Sequence, residues 1–287
     1  MKTIRAEHLG MCFGVRDAIA LARGASTGGG VTVLGHLVHN PAVLADLEAE
    51  GIRSVERVEE APPGAVMITA HGTSERALSE VRATGRVVLE GTCPLVHVAH
   101  RALRELVLEG RFPVVVGKRD HVEVRGLTGD YDPFGVVLTE EEVDALPAHP
   151  RYGVVAQTTQ PIARVRGLVA RLRGRFPEAD VRFTDTVCQP TKLRQSSAVS
   201  LAKRCDVVLV IGGVASNNTR ELVATCLEHC PRVYPIQGAA DLRGCWFRGD
   251  ETVGITAGTS TPDASIEEVE KWLAQFQDFQ ARVAAVA

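Results

Sequence analysis

Three cysteines, Cys12, Cys93 and Cys188, stand in three similar settings: "HLGMCFGV", "EGTCPLV" and "DTVCQPT". In each, a short apolar run ends, the cysteine follows, and a segment with helix-start character begins. They are roughly 80 to 95 residues apart, unlike the close Cys-x2-Cys pairs of zinc ribbons and common ferredoxins. A metal held by all three is therefore bound only by the assembled fold. Three thiolates around a [4Fe–4S] cubane leave one iron without a protein ligand, a Lewis-acid position able to take a substrate oxygen. The competing reading is three unrelated core thiols, a common fate for cysteine. The repetition of one setting three times favours shared chemistry. Cys226 and Cys230, with His229 in "CLEHC", fall instead inside an apolar helical pattern and read as packing. Cys205 and Cys245 belong to no motif.

The elements that must position these thiols alternate along the chain. Short apolar runs are separated by longer amphipathic stretches, the βαβ pattern of parallel sheets covered by helices. Nine strands are predicted: "KTIRA", "VTVLG", "VMITA", "RVVLE", "FPVVVG", "YGVVA", "VRFTD", "DVVLVIG" and "TVGITAG". They group into three successive sets of three. The first strand of a set leads to a cysteine. The second leads to a polar loop ("GHLVHNP", "GKRDHVEV", "GGVASNN"), and the third to "AHGTS", "AQTTQP" or "AGTSTP". The fold expected is α/β, with three small parallel-sheet domains arranged pseudo-threefold around one central, polar, thiol-lined cavity. The domains are residues 1–93, 94–187 and 188–270, followed by a helical tail over 271–287. The loops lie beyond the carboxyl ends of parallel strands, where α/β proteins bind ligands. Several carry cap-then-proline pairs such as Asn40-Pro41, Cys93-Pro94 and Thr261-Pro262, whose free backbone N–H groups suit an anion.

Bulk properties narrow the function further. The chain has 287 residues, is 45% hydrophobic and carries a formal charge of −3, which argues against a nucleic-acid partner. No leader pattern and no apolar run of spanning length is evident, so a cytoplasmic location without membrane contact is expected. Seven cysteines without dense spacing do not read as a secreted disulfide scaffold. "GASTGGG" follows a helix and reads as a loop, and no G-x-G-x-x-G follows a strand, so no nicotinamide or flavin site is indicated. Arg164, Arg166, Arg171, Arg173 and Arg175 could steer an acidic electron donor, but a solvated helix face is the plainer reading.

Taken in order, "GMCFGV", "GHLVHNP", "AHGTS", "TCPLV", "HVEV", "QTT", "SNN" and "AGTSTP" resemble the LytB/IspH family of 4-hydroxy-3-methylbut-2-enyl diphosphate reductases, from about Cys12 to Asp263. The resemblance implies three α/β units around a [4Fe–4S] cluster held by Cys12, Cys93 and Cys188. It implies a two-electron, two-proton removal of an allylic hydroxyl as water, giving isopentenyl and dimethylallyl diphosphate. Glu123 then resembles the proton-delivering acid, with Thr158 near the hydroxyl. His39, His71 and His121, with Ser216, Asn217, Asn218 and Ser260, resemble the diphosphate-side donors, and Asn40 and Thr73 stand behind them. A ferredoxin or flavodoxin is the implied electron donor. The chain departs from the family pattern at Met11, at Gly117-Lys118-Arg119-Asp120, at Val122 where a proline is usual, at Gln189-Pro190-Thr191 and at Asn217. A paralogue acting on another small allylic diphosphate, or a cluster-bearing redox carrier, would share the cysteine pattern. The carrier would need no proton donor at Glu123.

Overall fold

The computed structural model describes residues 1–26 and 30–286. In chain order the elements are β1 (Lys2–Arg5), α1 (Phe13–Ser26), β2 (Val31–Leu34), α2 (Pro41–Ala49), β3 (Arg53–Val55), β4 (Ala65–Ile68), α3 (Glu75–Ala83), β5 (Val88–Glu90) and α4 (Pro94–Leu108). There follow β6 (Phe112–Val116), α5 (Val122–Thr128), β7 (Gly135–Val137), α6 (Glu140–Asp144), β8 (Arg151–Ala156), α7 (Ile162–Arg175) and β9 (Asp180–Phe183). The last stretch holds α8 (Gln189–Ala202), β10 (Val207–Ile211), α9 (Asn217–Leu227), β11 (Val233–Ile236), β12 (Thr252–Ala257) and α10 (Asp263–Val286).

The strands form three four-stranded sheets, in the orders β3-β2-β4-β5, β7-β6-β8-β9 and β11-β10-β12-β1. Every pairing is parallel. Strands β6 and β10 are buried along their whole length. That is why "FPVVV" and "VVLVI" read as unbroken apolar runs: helices cover both faces of a parallel sheet. The second sheet has a core on each face, one around Tyr152, Val154 and Leu172 and another around Leu103, Leu127 and Val155. The third has the same plan, with Leu209, Ile255 and Leu273 on one side and Leu201, Leu222 and Cys226 on the other.

The expected architecture of three parallel α/β sheets is present, but the grouping of strands shifts by one. "RVVLE" is the last strand of the first sheet and "VRFTD" the last of the second. "KTIR" leaves the first set altogether and pairs with β12, Lys2 opposite Thr252 and Arg5 opposite Ile255. Residues 2–5 thus belong with the third sheet, and the closing helix begins at Asp263. An apolar run shows that a strand exists but not which neighbour it joins. Strands β3, β7 and β11 went unpredicted; each is a short edge strand of three or four residues. The "GASTGGG" loop is in part the end of α1, through Ser26, and Thr27, Gly28 and Gly29 lie outside the described residues.

Two compact units divide the chain. One comprises residues 1–12, 39–43 and 189–287, and the other residues 13–38 and 44–188. The first carries the β11-β10-β12-β1 sheet, and the second carries the other two.

Candidate active site

The regrouped sheets make the cysteines equivalent. Each follows an edge strand, β1, β5 or β9, and each donates its backbone N–H to the loop after the adjacent strand. Cys12 donates to the Thr259 carbonyl, Cys93 to that of Ala70 and Cys188 to that of Thr158, each at 3.0 Å. The accepting residues belong to "AGTSTP", "AHGTS" and "AQTTQP". The strand before each loop places its carbonyls in line to receive the cysteine turn. All three thiols are half-buried. Cys226 and Cys230 lie in the core instead. Burial pushes the Cys226 thiol up to about 12 and that of Cys205 up to about 11, so both are inert thiols rather than ligands.

The larger unit holds Cys93, Cys188, His71, Thr73, His121, Glu123 and Thr158. His121 caps the short helix α5, its Nδ1 accepting the Glu123 N–H at 3.2 Å. This cap satisfies a first-turn donor at the start of α5. With Nδ1 accepting this bond, Nε2 is the ring atom that can donate. The rings of His71 and His121 meet edge to face, with centroids 5.5 Å apart. Glu123 is 2% exposed, and its Oε1 accepts the Thr158 N–H at 2.6 Å. Burial raises its carboxyl to about 7, against the opposing pull of hydrogen bonds from the Thr158 N–H and hydroxyl.

The smaller unit holds Cys12, His39, Asn40, Ser216, Asn217, Asn218 and Ser260. Ser216 caps α9, its Oγ accepting the Thr219 N–H at 3.3 Å. Asn218, two residues on in the same first turn, is buried; its Oδ1 accepts the Thr259 N–H at 3.0 Å, while its Nδ2 has no hydrogen-bond partner. A buried amide donor in that state can be met by water or by a bound acceptor. Asn40 works inward on both sides: Nδ2 donates to the Ser260 carbonyl at 2.9 Å, and Oδ1 accepts the Ala42 N–H at 3.1 Å. It therefore positions the His39 turn, and its amide is committed within the protein. The Ser260 hydroxyl lies 3.5 Å from the His39 carbonyl.

Some positioning residues were not legible beforehand. Gln157, fully buried within "AQTTQP", accepts the Lys118 N–H at 3.1 Å and the Gln160 amide at 3.0 Å. It ties the loop before His121 to the loop that carries Thr158. Arg194 holds the Gly10 carbonyl at 2.7 and 3.0 Å and the Pro190 carbonyl at 3.0 Å, joining the start of α8 to the turn before Cys12. Lys118 and Arg119 of the unusual "GKRD" loop are exposed, as a solvated reading expects. Among the α7 arginines, Arg171 pairs with Asp144 at 2.5 Å and Arg175 lies over the Phe176 ring at 4.9 Å.

The donor set fits an iron–sulfur group: three partly accessible thiols in equivalent turns, set apart from the buried cysteines by their surroundings. A family model described as LytB protein matches residues 3–274. A 4-hydroxy-3-methylbut-2-enyl diphosphate reductase of Pelobacter propionicus is 37% identical over 271 residues, covering 94% of this chain and 96% of the relative. That of Geobacter sulfurreducens is 37% identical over 282 residues, covering 97% and 99%. A solved structure of (E)-4-hydroxy-3-methyl-but-2-enyl diphosphate reductase, described as the terminal enzyme of the non-mevalonate pathway, is 37% identical, with a TM-score of 0.69 and coverage of 96% of this chain and 100% of that one. A reductase structure from Plasmodium falciparum, at 24% identity, shares the fold with a TM-score of 0.87 and coverage of 96% and 87%.

Proposed function

The chain belongs to the LytB protein family, and on that premise we propose that it reduces 4-hydroxy-3-methylbut-2-enyl diphosphate. Two electrons and two protons replace the allylic C–O bond by C–H and release the hydroxyl as water. The products are isopentenyl and dimethylallyl diphosphate. Cys12, Cys93 and Cys188 are the residues that would hold a [4Fe–4S] cluster; when bound, it supplies the electrons and a Lewis-acid iron for the hydroxyl oxygen. Electrons reach the protein from a separate carrier, for which a ferredoxin or flavodoxin is the fitting class. Reduced thiols of this kind suit a cytoplasmic setting.

The observation that carries this reading is Glu123. A carboxyl raised to about 7 is protonated in a large fraction of molecules at neutral pH, the condition a general acid needs. Its Oε1 receives the Thr158 N–H, so the transferable proton resides on Oε2. The Thr158 side chain also acts on this carboxyl, favouring its charged form against the burial that raises it. Ser216, Asn217, Asn218 and Ser260 offer the diphosphate neutral donors, with the unpartnered Asn218 amide foremost. His39, His71 and His121 add ring N–H donors, and Thr73 and Asn40 hold the loops that carry them.

The test is anaerobic reconstitution with iron and sulfide, followed by turnover of the hydroxylated diphosphate with a chemical reductant. The wild-type protein should be brown and active. A Glu123→Gln variant should retain its iron and visible spectrum and lose turnover by about 100-fold or more. A fully active variant would overturn the acid assignment. An iron-replete wild-type protein that binds but does not reduce this diphosphate would point to a paralogue with another allylic substrate.

A further inference from the structure

Gly14 sits in the first turn of α1, two residues after Cys12 and directly against Cys93. A Cβ placed on Gly14 would overlap the Cys93 sulfur and lie 3.1 Å from its Cβ. The backbone there is ordinary helix, so conformational freedom does not explain the glycine. Helix propensity does not explain it either, since glycine within a helix costs about 1 kcal/mol relative to alanine. Gly24, in the same helix, would meet nothing within 4 Å. What Gly14 provides is space at one sulfur.

The Cys93 backbone is already committed: its N–H is bonded to Ala70 and Pro94 follows at the first position of α4. A crowding neighbour therefore acts on the side-chain torsion rather than on the backbone. We propose that Gly14 is a positioning residue for the Cys93 thiol, its missing side chain holding the sulfur in the rotamer that a cluster ligand requires. This rests on the reading of Cys93 as a ligand. A methyl group at position 14 turns the sulfur away, which a metal-free protein tolerates and a three-thiolate site does not. Such supporting residues commonly change metal affinity by about 10- to 100-fold.

The experiment compares wild type, Gly14→Ala and Gly24→Ala, each purified metal-free and then loaded anaerobically with limiting iron and sulfide. Iron per chain and the visible spectrum are read alongside the thermal melt of the metal-free proteins. Alkylation of Cys93 and Cys188 in the metal-free state is followed by peptide mass spectrometry. Gly14→Ala should melt cooperatively near wild type, bind iron about 10-fold more weakly or worse, and change the alkylation rate of Cys93 several-fold while leaving that of Cys188 alone. Gly24→Ala should load as wild type does. Normal loading of Gly14→Ala would overturn the proposal. So would loss of its cooperative melt, because the space would then serve packing of the metal-free fold. Failure of the wild-type protein itself to bind iron would instead sink the cluster reading.

Discussion

At the scale of single residues, one carboxyl and two sets of thiols divide by environment. The same desolvation that raises Glu123 to about 7 raises Cys226 to about 12. A raised carboxyl is neutral near pH 7, the form a proton donor needs, whereas a raised thiol loses its charged, reactive form. The Glu123 shift also makes the fold pH-dependent. Its folded carboxyl holds a proton up to about 7, while the unfolded one releases it near the ordinary carboxylate value of 4.5. The native state therefore binds more protons between those values, and stability falls as pH rises through that window. The loss amounts to about 3 kcal/mol for one such group. Urea melts of the metal-free protein at pH 4.5 to 7.5 should show this slope, and Glu123→Gln should flatten it. Identical slopes in the two proteins would show that other groups govern the pH dependence.

At the scale of elements, the polar loops matter because they begin helices. Asn40, His121 and Ser216 each cap the helix that follows the second strand of their sheet, so the polar loops and the helix starts are the same residues. A further cap joins the two sheets of the larger unit. Both oxygens of the Asp130 carboxylate, just after α5, accept the Glu75 and Arg76 N–H groups at 2.9 Å, and Ser74 accepts that of Ala77 at 3.2 Å. The negative charge also complements the positive end of α3. Close approach at Gly126, where an added Cβ would come 3.2 Å from the Thr73 Cα, seats α5 against this turn. The helix bearing Glu123 is thereby fastened to the loop bearing His71 and Thr73. Asp130→Ala should lower stability by about 1 kcal/mol in chemical denaturation. It should also raise KM for the diphosphate more than it lowers kcat. An unchanged KM would separate the cap from the binding loop.

At the scale of the whole molecule, the third sheet depends on its first four-residue strand. Strand β1 covers the edge of β12, whose residues from Val253 to Ala257 are buried, and it leads directly to the turn that holds Cys12. Deleting residues 1–5 should expose an apolar strand edge and shift elution in size exclusion toward larger species. It should also lower iron loading even though every cysteine remains. Elution and loading equal to those of the full chain would show that β1 is dispensable. No helix among the described residues is long and apolar enough to cross a membrane.

Much of this protein is legible in its letters. The α/β class, nine of the strands and the three cysteine turns follow from apolar periodicity and from residue types at strand ends. These are local signals, since burial on both sheet faces and helix capping each act over a few residues. Strand partnership is not local. Lys2 pairs with Thr252 because a parallel edge takes whichever strand the folded chain delivers to it, and nothing in "KTIR" records that choice. The edge strands β3, β7 and β11 are too short to stand out from turns. Gly14, Gln157, Asp130 and Arg194 do their work through contacts with distant residues, so their roles emerge only when packing brings those partners together. The sequence by itself determined which side chains could perform the chemistry. Tertiary structure decided which of them are half-exposed, which are buried enough to change their pKa, and which small residues leave room for a sulfur.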